Sequence, residues 1–407
     1  MSLLLKCKQL SLKLEKYRFI YTLGFSLYEI FNDFLSLFYR LFYIFPIKSN
    51  KIVISNISGR GYGESPKYIA EELLKNKDKY DLVWLINSEN IDSSEIPSEI
   101  RIVKTGTIQS LYELATAKFW IDNTWKQPYV RKRRGQYFIQ TWHGYGPKKT
   151  IKNPEKEPRL YIESLKRCSK MTDLFTIPNE HFKDLCHSDF WYYGDILESG
   201  FPRNDIFFSN NLVEIREKVY SRLNILREKR VLLFAPTYRQ NLNTRFIDMI
   251  DIEGCLSALN ARYGGEWVFL LRLHPLMKDI IPKRVQEESD CILDASSYMD
   301  MQELLYVSDI LITDYSACMF DFIHTRKPCI LYHPDIEEYK DTRGFCIQPD
   351  QLPFPRTNSN KELIDCITTF DSTIFEKMLE DWFEKNKTYD TGHASKYVVD
   401  WIEKYLK

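Results

Sequence analysis

The sequence predicts an α/β protein of two doubly wound parallel-sheet domains behind an amphipathic N-terminal segment. Two observations carry that prediction. After Pro46, short β-branched runs alternate with amphipathic helical stretches, which is the pattern of βαβ units. The alternation then restarts after GFPRND (200–205), a segment that holds both Gly and Pro. The 407 residues are enough for two domains of ordinary size, each with its own core. The expected division is 1–46 for the amphipathic helices and 47–200 and 201–390 for the two Rossmann-like domains. A last helix, 391–407, is expected to pack back on the first domain.

In chain order the amphipathic segment comes first. Residues 17–46, YRFIYTLGFSLYEIFNDFLSLFYRLFYIFP, are very apolar but carry Glu29, Asp33 and Arg40. No stretch reaches the roughly 18 uncharged apolar residues of a membrane span, and no small-residue cleavage site of a signal peptide follows. On a helix, Thr22, Ser26, Glu29, Asp33, Ser36 and Arg40 form one narrow polar stripe beside a wide apolar face. Lys6, Lys8, Lys13, Lys16 and Arg18 precede it against a single Glu15. This pattern predicts a helix lying in the membrane interface with basic residues near anionic headgroups. The competing reading is a helix packed on the protein's own core.

The first domain reads as the strand KIVISNI (51–57), a helix from PKYIAEELLKN, and the strand DLVWLIN (81–87). A helix near 107–117, the strands FWIDN (119–123) and QYFIQTW (136–142), a helix near 159–170 and the strand LFTIP (174–178) follow. A helix and a short strand around 196–199 close it. The second domain begins with a helix at 211–227 and the strand RVLLFAP (230–236). The strands EWVFLLRLHP (266–275), DILITD (309–314) and PCILYH (328–333) come next, and from about Lys361 the chain is helical. Two such sheets facing one another would leave a cleft at their carboxyl ends, where ligands bind in this architecture. That layout is GT-B-like.

Polar clusters stand where the strands are expected to end. The first, WHGYGPKK, lies in a run from Asn123 to Pro154 with eight Lys/Arg and no Asp or Glu. Gly144, Gly146 and Pro147 favour a tight turn. His143 is the one residue there that exchanges a proton near neutral pH, and Lys148 and Lys149 can neutralise phosphate. Core residue, metal ligand and base are the readings open to it, and on its own a histidine after a tryptophan is more often structural than catalytic. The second cluster is LRLHP, where Arg272 and His274 end an apolar strand; buried there they need a partner, and a pyrophosphate suits Arg. The third is FAPTYR, with Pro236, Thr237 and Arg239. In the fourth, SDILITDYSACMFD, Ser316 stands at a helix start that could take an anion and Asp321 could meet a ribose hydroxyl. The alternative there is simple helix capping.

Other classes fall away on composition. Net charge is zero, whereas a bulk nucleic-acid binder is usually basic, so no nucleic acid is expected as partner. The nine cysteines are scattered singly with no C-x-x-C pair, against a zinc ribbon or a disulfide framework. There is no D-x-D pair, and no metal is expected. GRGYGE (59–64) has glycines at alternate positions rather than as G-x-G-x-x-G, so a nicotinamide cofactor is not expected.

QTWHGYGPKK, GFPRND, LLFAPTYR, LRLHP and SDILITDYSACMFDF…RKPCILYHPDIEEYKDTRGF, in this order, resemble the CDP-glycerol glycerophosphotransferase family. Its members are the teichoic acid primases and polymerases and related capsule polymerases. The resemblance spans roughly residues 50–395 and implies a GT-B fold, a CDP-alditol donor, an acceptor at the inner membrane face, and neither metal nor cofactor in the transfer. It implies His143 as the base on the acceptor hydroxyl, and His274 with Arg272 on the donor pyrophosphate and the departing CMP. Gly144, Tyr145, Gly146, Pro147, Arg203, Pro236, Thr237, Ser316, Ala317 and Asp321 match donor-site positions. Two departures stand out: Ala317 replaces the second of two serines, and Tyr145 stands where Thr is common. The implied reaction moves glycerol phosphate from CDP-glycerol to a hydroxyl of a membrane-anchored glycan or polymer and releases CMP. Arg131, Lys132, Arg133 and Arg134, with Lys148 and Lys149, would face headgroups or a phosphate polymer; a plain solvated face is the alternative. The protein is expected on the cytoplasmic side of the cell membrane, peripherally. Rival readings are a ribitol-phosphate donor, a GT-B glycosyltransferase using a nucleotide sugar, and a non-catalytic membrane adaptor.

Overall fold

The computed structural model describes residues 18–87, 93–147, 151, 157, 159–238, 248–274, 277, 290–342 and 344–406, with side chains from residue 24 onward, 340–342 apart. The N-terminal lysines, Lys148, Lys149 and Arg239 lie outside these. The chain clusters into two compact units: 1–143 with 151–205 and 388–407, and 144–150 with 206–387.

The first unit holds strands β1 (Lys48–Ser55), β2 (Asp81–Ile86), β3 (Arg101–Lys104), β4 (Ala117–Asp122), β5 (Tyr137–Gln140), β6 (Leu174–Ile177) and β7 (Asp195–Glu198). They form one sheet in the order β3-β2-β1-β4-β5-β6-β7, with parallel pairing throughout. The central strands are apolar because helices cover both faces of a parallel sheet: Ile52, Val53, Ile54, Phe119, Trp120 and Ile121 are fully buried. Edge strands β3 and β7 bury one residue between them. With no apolar run to mark it, β3 escapes a sequence reading. Because β1 stops at Ser55, Asn56 and Ile57, read as strand, instead begin a turn in which Ile57 and Ser58 adopt left-handed backbone angles.

The last helix, Ala394–Lys404, belongs to this unit. Its Glu403 takes hydrogen bonds from Lys79 and Tyr80 at 2.6 and 2.9 Å. The segment leading to it is fastened by Asp390, whose Oδ1 accepts from the Phe201 and Asn204 side of the domain crossover at 3.0 and 2.9 Å. Gly200 sits so close to Asp390 that a Cβ there would come within 2.6 Å of the Asp390 Cα.

The helix Arg18–Arg40 lies on this unit in an inverted sense. Asn32, Ser36 and Tyr39 are buried against the domain. Glu29 pairs with Arg167 at 3.3 Å and Asp33 with Arg131 at 3.6 Å. Leu27, Ile30, Phe31, Phe34, Leu37, Phe38 and Leu41 are all exposed. The polar side therefore meets the protein, while the apolar side does not. Among the described residues no helix is long and apolar enough to cross a membrane.

The second unit holds β8 (Arg230–Phe234), β9 (Trp267–Leu271), β10 (Ile292–Asp294), β11 (Ile310–Thr313), β12 (Cys329–Tyr332) and β13 (Arg356–Thr357). Their order is β10-β9-β8-β11-β12-β13, again parallel. Each sheet thus reverses its winding at one point, between β1 and β4 and between β8 and β11, where open α/β sheets bind ligands. Strand β9 ends at Leu271, which leaves Arg272 to His274 in the loop beyond it. The two families of strand in this protein, GT-B-like in order, are thereby ready to carry polar groups at their carboxyl ends.

Burial pushes the Asp390 carboxyl up to about 7, against the pull of its hydrogen bonds from Asn204 and Phe201. An acid whose folded pKa is raised stabilises the fold fully below its unfolded pKa, about 4, and loses that contribution as pH rises through about 7. Asp390→Asn keeps the acceptor oxygen and is expected to flatten the dependence of unfolding free energy between pH 4 and 7, measured by urea titration across that range.

Candidate functional site

In the first unit the site is built on Asn123, the residue after β4, which is fully buried. Its side chain is clamped by the turn after β1: Oδ1 accepts from Ile57 N–H at 2.7 Å and Nδ2 donates to Asn56 Oδ1 at 2.8 Å. Beneath it Asp122 is buried with Lys126 in a 2.7 Å ion pair, and its other oxygen accepts from Thr124. The carbonyl of Asn123 faces His143 Nδ1 at 2.8 Å. A carbonyl oxygen only accepts, so Nδ1 carries the hydrogen and the ring's lone pair is on Nε2. That is the tautomer a base requires.

His143 is exposed, and its backbone is aimed by unusual means. Trp142 holds φ at 52°, a left-handed value that costs a bulky residue conformational energy. Its N–H donates to Gln140 Oε1 at 2.8 Å, and Gln140 Nε2 donates to Thr124 O at 2.9 Å. The buried indole lies against Trp125 and Phe190, both at 4.7 Å between ring centres, and the imidazole rests on it at 4.1 Å. The sharp turn needed to present His143 is thus compensated by aromatic packing and two amide hydrogen bonds.

The chain leaves the first unit after His143, and Gly144 to Pro147 are part of the second. Tyr145 stacks on Phe320 at 4.7 Å with planes 9° apart. A Cβ on Gly146 would lie 3.6 Å from Tyr315 O and Ala317 N, ordinary contact with the DYSA turn. Pro147 O accepts from Cys346 N–H at 2.7 Å. The aromatic at position 145 therefore has a stacking partner in the second unit.

Asp314 organises the second unit as Asn123 does the first. Its Oδ1 accepts the N–H of Thr237, at 2.8 Å, and of Tyr315. Thr313 Oγ1 donates to Ala235 O at 2.7 Å. These bonds join the FAPT and DYS turns across the β8–β11 reversal, bringing together Pro236, Thr237, Ser316 and Ala317. Arg272, nearly buried, donates to the carbonyls of Ala295, at 3.1 Å, and Ser296. His274 is exposed beside the Tyr238 ring at 5.3 Å. Asp321 is buried and accepts from Gln302 Nε2 at 3.1 Å. The helix after Ser316 is only Cys318–Phe322, with Ala317 at its cap and no side-chain capping bond, so neither the capped-helix reading nor a long helix start describes Ser316.

Other expected residues have partners within the first unit. Arg203 is buried in the first unit and pairs with Glu64 at 2.6 Å. In the basic run, Arg133 donates to the carbonyls of Phe45, Ala115 and Tyr43 at 2.8, 3.0 and 3.2 Å. Arg131 meets Asp33 and Lys132 meets Asp173. These three side chains fasten the N-terminal helix and the sheet, and Arg134 alone of the four is exposed. Sequence reasoning missed Asn123, Asp314 and His333. The last is buried under the DYS turn, stacks on Tyr315 at 4.6 Å, and has its pKa lowered by burial. The signal for the first two was their place directly after a strand. Among the described residues no three His, Cys, Asp or Glu side chains group as a metal site would need.

Residues 37–404 match the family model described as CDP-glycerol:poly(glycerophosphate) glycerophosphotransferase. The chain is 31% identical over 382 residues to a teichoic acid poly(glycerol phosphate) polymerase of Bacillus spizizenii, covering 90% of this chain and 95% of that one. It is 30% identical to the Staphylococcus epidermidis protein of the same name over 89% of this chain, and spans 51% of that longer protein. A solved structure of the wall teichoic acid polymerase TagF superposes with a TM-score of 0.79 at 27% identity, covering 94% of this chain and 97% of that one. TagF has also been solved with a histidine replaced by asparagine and soaked with CDPG.

Asp314→Ala leaves two buried backbone N–H groups without their acceptor, a loss of about 1–3 kcal/mol for each. Denaturant unfolding is expected to show that loss, and amide exchange at Thr237 and Tyr315 to accelerate together.

Proposed function

The chain belongs to the CDP-glycerol:poly(glycerophosphate) glycerophosphotransferase family, and we propose that His143 is the base of its transfer reaction. Glycerol phosphate moves from CDP-glycerol to a hydroxyl of a membrane-anchored glycan or teichoic acid-type polymer. The acceptor oxygen attacks the phosphorus that bears glycerol, the bond from that phosphorus to the bridging oxygen breaks, and CMP leaves with the oxygen. The acceptor proton goes to His143 Nε2. The observation that carries this role is the Nδ1–Asn123 carbonyl hydrogen bond of 2.8 Å, which leaves the lone pair on the nitrogen that must receive the proton.

Arg272 and His274 serve the pyrophosphate, where neutralising charge on the departing CMP is worth more than proton transfer alone. The turn residues Gly144 to Pro147, Pro236, Thr237, Ser316 and Ala317, with Asp321, line the donor side.

The N-terminal helix supplies the membrane contact. An exposed row of Leu27, Ile30, Phe31, Phe34, Leu37 and Leu41, on a helix whose polar side is already used by the protein, fits the headgroup–acyl boundary of a bilayer. The anionic cytoplasmic leaflet is the face at which a nucleotide donor and a lipid-linked acceptor meet.

Two measurements check this reading. His143→Ala is expected to lower kcat by about 10²–10⁴-fold while calorimetry shows unchanged binding of CDP-glycerol; near-normal turnover would remove His143 from the mechanism. Replacing Phe31, Phe34 and Leu37 together with Ser is expected to abolish sedimentation with anionic vesicles and leave the folded core intact; unchanged sedimentation would exclude the helix as anchor.

A further inference from the structure

The loop after β1 contains a cation that the reaction as described leaves without a task. Arg60 is half-buried, and desolvation alone shifts its guanidinium, downward. Among the described residues no carboxylate pairs with it. The acid nearest in sequence, Glu64, is committed to Arg203 at 2.6 Å. Holding a partly desolvated guanidinium without a counter-charge costs free energy, which a bound anion would offset.

The loop that bears Arg60 is fixed rather than free. Ile57 and Ser58 have φ of 40° and 57°, values a β-branched residue rarely takes. Their N–H groups are held by Asn123 Oδ1 and Thr124 Oγ1 at 2.7 and 3.1 Å. On the other side, Asn87 N–H donates to Gly59 O at 2.8 Å, and Arg60 N–H donates to Asn56 O at 2.9 Å. A Cβ on Gly59 would come within 2.8 Å of Asn87 N, so the loop lies flat on the end of β2. The same Asn123 holds His143 through its carbonyl. One buried residue therefore sets both the base and the Arg60 loop at the carboxyl end of one sheet.

We infer that Arg60 forms a subsite for a phosphate of the acceptor, in the class of chains that already end in a glycerol phosphate unit. The inference rests on His143 acting on the acceptor hydroxyl. In such an acceptor the attacking hydroxyl and the nearest phosphate stand at opposite ends of one three-carbon unit, so a base and a phosphate-binding cation at the same sheet edge engage both. Guanidinium suits a phosphodiester because it offers paired donors in a plane. The donor's pyrophosphate is the other phosphate in the reaction, and the test separates the two.

The full chain is assayed with CDP-glycerol and two lipid-linked acceptors, one ending in glycerol phosphate and one in an uncharged sugar. Arg60→Gln is expected to raise the KM for the phosphate-ended acceptor by about tenfold or more, with the KM for CDP-glycerol within about twofold of wild type. Arg60→Lys, which keeps the charge but not the fork, recovers part of the loss. A shift confined to the donor KM, or no shift at all in an active enzyme, overturns the inference. If wild type transfers to neither acceptor, the functional reading fails instead. Calorimetry with diglycerol phosphate then decides this one: binding lost in Arg60→Gln supports the subsite, and equal binding or none in wild type overturns it. Thermal melts of both variants confirm that the fold is kept.

Discussion

The hydrogen bond between His143 Nδ1 and the Asn123 carbonyl is the contact on which the role proposed for His143 depends. An exposed histidine on a loop has two neutral tautomers and many orientations. This bond selects one tautomer, and the indole of Trp142 beneath the ring limits its orientation. The carbonyl in turn stands where it does because Asn123 is locked between β1 and β4 by bonds to Asn56 and Ile57. The chain of cause runs from a buried amide at a sheet reversal, to a fixed carbonyl, to a nitrogen able to take a proton.

The second unit solves the same problem with a carboxylate. Asp314 gathers two backbone N–H groups and so ties the turn after β8 to the turn after β11. Parallel sheets end in unpaired backbone groups at the reversal point, and a short acidic or amide side chain there satisfies them while shaping a ligand site. The GYGP turn joins this arrangement through the Tyr145–Phe320 stack and the Pro147 carbonyl. A substitution of Tyr145 would thus be felt in the DYSA turn, although the two lie far apart in sequence.

Much of this was legible in the sequence. The βαβ alternation, its restart after GFPRND, and the placing of WHG, LRLHP, FAPT and DYS at strand ends all follow from period and composition, because burial on both faces of a parallel strand leaves an apolar run that stops abruptly. What escaped depends on partners distant in the chain. Glu64 takes Arg203, 139 positions away, and the carbonyls of Tyr43 and Phe45 take Arg133. The sequence marks Arg133 as part of a basic patch and Arg203, by resemblance, as a donor-site residue; only the fold shows the partners each one has. The amphipathic helix gave its two faces to the sequence reading but not their direction. That the polar one turns inward follows from Arg167 and Arg131 waiting on the domain surface. The polar layer under His143 was invisible for another reason, since Asn and Asp after a strand read as ordinary turn residues.

The tautomer of His143 is directly observable. Nitrogen-15 spectra of histidine-labelled protein near neutral pH, assigned by comparison with His143→Ala, report which ring nitrogen of His143 carries the hydrogen. The hydrogen bond to the Asn123 carbonyl predicts a protonated Nδ1 and an unprotonated Nε2. An Nε2–H tautomer, or averaging of the two as in a free imidazole, would contradict it.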